Sequence, residues 1–376
     1  MIYREFKELK LSNLGLGMMR LPVKEDGLID EIHTAEMIEY SIKNGINYFD
    51  TAWGYHNGES ENIVGKILSK YPRESYYLAS KFPGYDLSNM GKVVEIFNKQ
   101  LEKCNTTYFD FYLINNVCEA NIDEYLNEKN GILPYLLKQK EEGKIKHFGF
   151  SVHGNLETMN RFLEMYGPYM EFCQIQLNYL DYEFQNAKAK MEVLKKLDIP
   201  VWVMEPLRGG KLVKELDSYQ DKLNTLRENV TSVEWALRFV QSFPEVKVIL
   251  SGMSNMEQLK QNIETFSTDD VLNEEEMNVL LGIAKEMLSK NILPCTACRY
   301  CTEKCPMGLD IPMLLETYNE HTVTGGGFIP AMRVGALPED KKPSACIGCR
   351  ACEAVCPQVL KISEAMDDFS KKLGLR

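Results

Sequence analysis

Tyr76-Tyr77-Leu78-Ala79-Ser80-Lys81, then Lys92–Cys104, then Phe109-Asp110-Phe111-Tyr112-Leu113-Ile114: a short apolar run, a helical pattern and a second short apolar run. In the middle piece Val93, Phe97 and Leu101 recur every four residues with Val94 alongside, as one buried helical face requires. The same unit repeats in both directions. Further strands are expected at Leu14–Met18, Asn47–Asp50, His147–Ser151, Phe172–Gln176, Val201–Met204 and Val246–Leu250. Helical patterns lie at Leu156–Met165, Ala187–Leu197, Ser232–Gln241 and Met256–Phe266. Strand-then-helix alternation means a parallel sheet covered by helices. Eight such units in residues 1–290 predict an α/β chain with a (β/α)8 barrel. A doubly wound open sheet is the alternative, but no G-x-G-x-x-G follows the first strand. An acidic helix, Asn273–Lys290, closes the barrel, and Pro294 marks the boundary to a second domain, 291–376.

That second domain carries one cysteine phrase twice. Cys295, Cys298, Cys301 and Cys305 form C-x2-C-x2-C-x3-C before Pro306, and Cys346, Cys349, Cys352 and Cys356 repeat it before Pro357. This is the ligand pattern of a two-cluster [4Fe–4S] ferredoxin-type module, in which the fourth cysteine of each run serves the other cluster. The expected sets are Cys295, Cys298, Cys301 and Cys356, and Cys346, Cys349, Cys352 and Cys305. Structural zinc pairs cysteines two at a time, and disulfides suit an oxidising compartment. The runs are forty residues apart, and Thr324-Gly325-Gly326-Gly327 between them reads as a loop rather than a phosphate cradle. Cys104, Cys118 and Cys173 read as small buried hydrophobes.

The net charge of −11 lies wholly in the first domain, because from Cys295 onward ten basic side chains balance ten acidic ones. No basic stripe offers itself to nucleic acid. The first residues, MIYREFKELKLSNLG, lack the apolar core of a secretory signal, and no stretch is apolar enough to cross a bilayer. The expectation is a cytoplasmic protein with a small-molecule substrate and neither nucleic-acid nor membrane partners.

Barrel enzymes keep their chemistry at the C-terminal ends of the strands. Asp50, Lys81, Asn115, Ser151, Gln174, Asn178 and Glu205 fall at or just past such ends. An ammonium beside a tyrosine favours phenolate, so Lys81, fixed by Asp50, is expected to lower the pKa of Tyr55 and make it a proton donor near neutrality. An ordinary Asp50–Lys81 salt bridge beside a packing tyrosine is the plain alternative.

Phe49-Asp50-Thr51-Ala52 with Tyr55, then Lys81, then Asp110 to Asn115, resembles the aldo-keto reductase family over residues 1–290. The resemblance implies a barrel that passes hydride between NAD(P)H and a carbonyl through an Asp, Tyr, Lys and His tetrad. Asp50, Tyr55 and Lys81 match three members; Asn115 stands at the histidine position. An amide donates a hydrogen bond to a carbonyl oxygen but cannot share a proton with Tyr55 as imidazole can. His56 and His153 are the nearby imidazoles in sequence. Ser151 and Gln174 match positions that hold the nicotinamide carboxamide. The segment from Glu205 through Leu207 and Gly209 is similar to the loop over the pyrophosphate. Ser251, Gly252, Met253, Ser254 and Asn255, with Gln258 and Asn262 beyond, resemble the family's cofactor segment. No arginine or lysine stands there to grip a 2′-phosphate, so NADP and NAD both stay open. Barrel and cysteine runs together resemble the branch with a C-terminal ferredoxin-type domain. The leading expectation is a nicotinamide-dependent reductase of a small carbonyl or enone with the clusters as electron relay. The alternatives are a cluster-driven reductase, with a flavin as the intermediate carrier and a ferredoxin or other electron-transfer protein as partner, and a non-catalytic redox sensor.

Overall fold

The computed structural model describes residues 1–293, Cys295 and residues 298–376, so Pro294 lies outside the described residues. The chain forms two compact units, Met1–Leu281 and Gly282–Arg376. The division falls inside the helix Glu274–Asn291.

The first unit opens with a hairpin that the sequence reading did not foresee, β1 (Tyr3–Phe6) and β2 (Leu9–Ser12). Eight strands follow: β3 (Leu14–Gly17), β4 (Tyr48–Asp50), β5 (Tyr77–Phe82), β6 (Phe109–Val117), β7 (Ile145–Val152), β8 (Cys173–Gln176), β9 (Val201–Met204) and β10 (Val246–Ser251). They close into a barrel, with β10 pairing both β9 and β3, and all neighbours parallel. Each expected strand is present within a few residues. Buried on both faces, the strands read as nearly continuous apolar runs.

The hairpin explains what fills one end. Phe6 and Leu11 join Tyr48, Phe111, Phe172 and Trp202 in one core cluster. The Phe6 ring stands edge-on to Trp202 at 5.1 Å, an arrangement worth about 1 kcal/mol beyond its burial. Glu171 ties the same end together: Lys7, Lys140 and the Phe148 amide all donate to its carboxylate.

The helix Val93–Lys103 corrects the expected face. Val93, Ile96, Phe97 and Gln100 are buried, whereas Val94 is 52% exposed. A strict four-residue repeat drifts round a helix of 3.6 residues per turn; the stripe at i, i+3, i+4 and i+7 does not. Gln100 is inside because its amide is fully used. It donates to Glu61 Oε1 at 2.7 Å and to the Lys81 carbonyl at 3.0 Å, and accepts from Tyr112 Oη at 2.6 Å. Local signals set other helix starts. Ser232–Gln241 begins with a Thr231–Glu234 capping box, and Met256–Thr265 begins where Asn255 caps the Gln258 amide at 2.9 Å.

The second unit packs Ile311–Thr324 with Ile362–Lys372 around Leu309, Leu314, Leu360 and Met366. Gly325 ends the first of these helices in the left-handed conformation, φ 61°, so the glycine run turns the chain toward Phe328–Gly335. Among the described residues no helix is long and apolar enough to cross a membrane.

Candidate functional site

Parallel register sets Asp50 of β4 opposite Ala79 of β5, two residues before Lys81. Lys81 Nζ donates to Asp50 Oδ1 at 2.5 Å and to the Thr51 carbonyl at 2.9 Å. Both side chains are buried, and Asp50 Oδ2 has no hydrogen-bond partner among the described residues. Burial pushes the Asp50 carboxyl pKa up despite the lysine.

Tyr55 starts the tight turn Tyr55–Gly58, in which His56 and Asn57 are left-handed at φ 51° and 56°. The turn brings the Tyr55 ring centroid 5.2 Å from Lys81 Nζ. Its pKa moves opposite to the sequence expectation. Desolvation, then the charges of Asp50 and Glu205, push the phenol well above its ordinary value. The ammonium cannot reverse this because Asp50 already neutralises it. Tyr55 is therefore a phenol throughout the physiological range.

Asn115 lies where β6 loses register with β7, between Ile114 and Val117, and Asn116 beside it has φ 60°. Ser151 Oγ donates to Asn115 Oδ1 at 2.9 Å and accepts from the Asn116 amide at 2.8 Å. With Oδ1 engaged, the NH2 of Asn115 is the half of the amide left to meet a ligand. His56 Nε2 accepts from the Leu21 amide at 3.1 Å, and burial lowers its pKa. His153 follows β7, its amide donating to Val117 at 3.0 Å.

The expected nucleotide residues divide into two groups. Gln174 is buried, its Oε1 has no partner among the described residues, and its Nε2 meets only Met204 Sδ at 3.6 Å. Such an amide fits a carboxamide, which offers both a donor and an acceptor. Glu205, Gly209 and Gly210 adopt φ of 53°, 65° and 89° in the loop after β9, with Leu207 between them. In the other group the side chains bind one another. Asn262 Nδ2 donates to Ser251 Oγ at 2.9 Å, both buried, and Gln258 Oε1 accepts the Ser254 amide at 2.8 Å. Met253 is buried; Ser254, Asn255 and Gln258 are exposed.

The sequence reading does not include Asp181 or Arg20, and it includes Arg208 only within the segment after β9. Arg208 and Asp181 form a buried ion pair, with Arg208 Nε at 2.8 Å from Oδ2 and Gln176 Nε2 donating to the same oxygen at 2.9 Å. It anchors the loop after β9 from below. Arg20, just past β3, lies between the two glycine-bearing loops. A Cβ on Gly209 would come within 2.7 Å of its Nη2, and one on Gly252 within 3.1 Å of its Cδ. Its guanidinium faces Glu205 at 3.5 Å. The strand-end rule that found Asp50 points to Arg20 equally well.

In the second unit, Cys295, Cys298, Cys301 and Cys356 line one pocket, together with Arg299, Leu315, Leu360 and Ile362. Three of these sulfurs come from the first run and one from the second. Such a donor set fits a thiolate-ligated cubane. Cys305, Cys346 and Cys352 pack in or against the module's core, and Cys349 is exposed.

Comparison with known proteins accords with this geometry. Residues 13–285 match the Aldo/keto reductase family, and residues 294–361 match the family described as 4Fe-4S dicluster domain. The chain is 24% identical over 315 residues to the uncharacterized oxidoreductase YqkF of Bacillus subtilis, covering 75% of this chain and 96% of that one. It is 24% identical over 306 residues to the NADH-specific methylglyoxal reductase of Escherichia coli, covering 68% and 90%. Among solved structures, aldo-keto reductase AKR11C1 from Bacillus halodurans superposes with a TM-score of 0.63 at 23% identity, covering 75% of this chain and 96% of that chain. An aldo-keto reductase from Klebsiella pneumoniae in complex with NADPH gives 0.60 at 22% identity, covering 74% and 94%. The chain belongs to the aldo/keto reductase family, as an oxidoreductase whose barrel is joined to a C-terminal 4Fe-4S dicluster domain.

Proposed function

We propose that the barrel, within residues 1–290, reduces a small carbonyl or enone in the cytoplasm, and that the module of residues 291–376 relays electrons to or from a ferredoxin-like partner. The observation that carries the reading is the buried Asp50–Lys81 pair beneath the Tyr55 ring. A nicotinamide nucleotide bound there supplies hydride. The two clusters, held by the cross-paired cysteine sets, are one-electron carriers. Tyr55, as a phenol, donates its proton to the substrate oxygen. Lys81 holds positive charge beside it, and Asp50 keeps that charge in place. Asn115 donates its NH2 to the same oxygen. Gln174 would hold the carboxamide, and the loop from Glu205 to Gly210 would hold the pyrophosphate. The names of relatives support this reading: one is an NADH-specific reductase of methylglyoxal and another was solved with NADPH.

The test is anaerobic turnover with NADH and NADPH against small aldehydes, ketones and enones. It is paired with iron and sulfide analysis, expected near eight of each per chain for two cubanes. Absence of turnover with every nucleotide and substrate pair would reject the reductase reading. Zinc without acid-labile sulfide would reject the clusters. Asn115 favours a second reading, in which reduction is driven from the clusters through a flavin. Turnover with dithionite or reduced ferredoxin, but not with NAD(P)H, is its signature.

A further inference from the structure

Each cysteine run places an arginine directly after its second cysteine, Cys298-Arg299 and Cys349-Arg350. Both arginines are left-handed, at φ 64° and 59°. A residue with a Cβ is strained there, and glycine is not. The module does use glycine for this conformation elsewhere, at Gly308 with φ 59°. Strain accepted twice, at the same step of a repeated motif, points to a use for the side chain.

The surroundings repeat as well. Cys298 and Cys349 are exposed, whereas Cys301 and Cys352 are buried at 7% each. Among the described residues, Arg299 is the one charged side chain lining the cavity of Cys295, Cys298, Cys301 and Cys356. Among the described residues its charge is met by Asp310 at 3.5 Å, and that of Arg350 by Glu364 at 3.9 Å. Long, exposed pairs of this kind neutralise little.

We propose that Arg299 and Arg350 supply the fixed positive charge that sets the reduction potential of the neighbouring [4Fe–4S] cluster, each acting on the cluster held by its own run. The inference rests on the cluster reading given above. Reduction adds one electron, and hence one negative charge, to a cluster, and no bond is made or broken. A guanidinium at the cluster's rim stabilises the reduced state by Coulomb attraction, and net charge is among the quantities that set cluster potentials. Arginine suits this role because it stays protonated at every accessible pH.

The experiment is an anaerobic dithionite titration of the full chain followed by EPR. It compares the parent with Arg299→Gln, Arg299→Gly, Arg299→Lys, Arg350→Gln and Arg350→Gly. Loss of charge should lower one midpoint per arginine by the equivalent of roughly a three- to tenfold change in the reduction equilibrium, tenfold being about 59 mV for one electron. Lysine should keep most of the parent value. The glycine variants relieve the strain and should unfold no earlier than the parent, which separates charge from folding. Parent protein loaded with iron and sulfide whose midpoints do not move in the Gln and Gly variants would overturn the proposal. Parent protein without iron and sulfide would instead overturn the cluster reading.

Discussion

Lys81 Nζ lies 2.5 Å from Asp50 Oδ1, with both side chains sealed from water at 1% and 2% exposure. Removing one partner of such a pair leaves an uncompensated buried charge, at a cost of about 3–5 kcal/mol, whereas replacing both with apolar side chains is close to neutral. Lys81→Met should therefore lower unfolding stability by about that amount, and adding Asp50→Leu should restore most of it. Neither variant should turn over. Urea unfolding checks the first statement, and steady-state assays the second.

Tyr55→Phe removes the proton donor and keeps the ring over Lys81. Turnover should fall by roughly 10²–10⁴, while nucleotide affinity, read by fluorescence titration, should stay within about twofold. The raised pKa has a signed consequence. A group whose folded pKa lies above its unfolded value stabilises the fold below the unfolded value, about 10 for tyrosine, and loses that contribution as pH rises further. Turnover should then show no loss assignable to Tyr55 ionisation between about pH 7 and 9.

Asn115→His places an imidazole at the position that resembles the family's tetrad histidine. If the barrel reduces ordinary carbonyls, the rate with small aldehydes should rise by roughly tenfold or more. The measurement is kcat/KM for one aldehyde and one enone. A rate that falls with both would show that the amide is adapted to a different acceptor.

Arg20 packs against both Gly209 and Gly252. Arg20→Ala should weaken nucleotide binding by about tenfold, or about 1.4 kcal/mol, with kcat little changed. The loss should shrink as salt is raised, because the arginine is half exposed.

Glu171 should contribute to the acid limb of the stability curve. Burial opposes its ionisation. Hydrogen bonds from His147, Lys140, Lys7 and the Phe148 amide outweigh that and hold its carboxyl well below the usual range. A depressed folded pKa stabilises above the unfolded value, about 4.3 for glutamate, and that contribution is lost as pH falls through the folded one. Glu171→Gln should lower stability at neutral pH and flatten the decline below about pH 4. Thermal unfolding at stepped pH reads both effects.

The barrel strands could be read along the chain because a parallel strand buried on both faces is a local apolar run. The cysteine runs were legible for a similar reason, since thiolate ligands at fixed spacing are a local pattern. The hairpin Tyr3–Ser12 was not. Its strands are four residues long and interleaved with lysine and glutamate, and only the barrel end shows why Phe6 and Leu11 are apolar.

By itself, the sequence determined the α/β alternation, the chemistry of the cysteine module, and which polar residues end the strands. The tertiary structure decided what those residues face. Ser251 and Asn262 face each other, Ser151 holds Asn115, and Gln174 keeps a carbonyl oxygen without a partner. It also reversed the expected direction of the Tyr55 pKa and brought Arg20 to Gly209 and Gly252. Hydrogen-bond partners and desolvation depend on distances through space between residues far apart in the chain, and spacing along the sequence does not carry those distances.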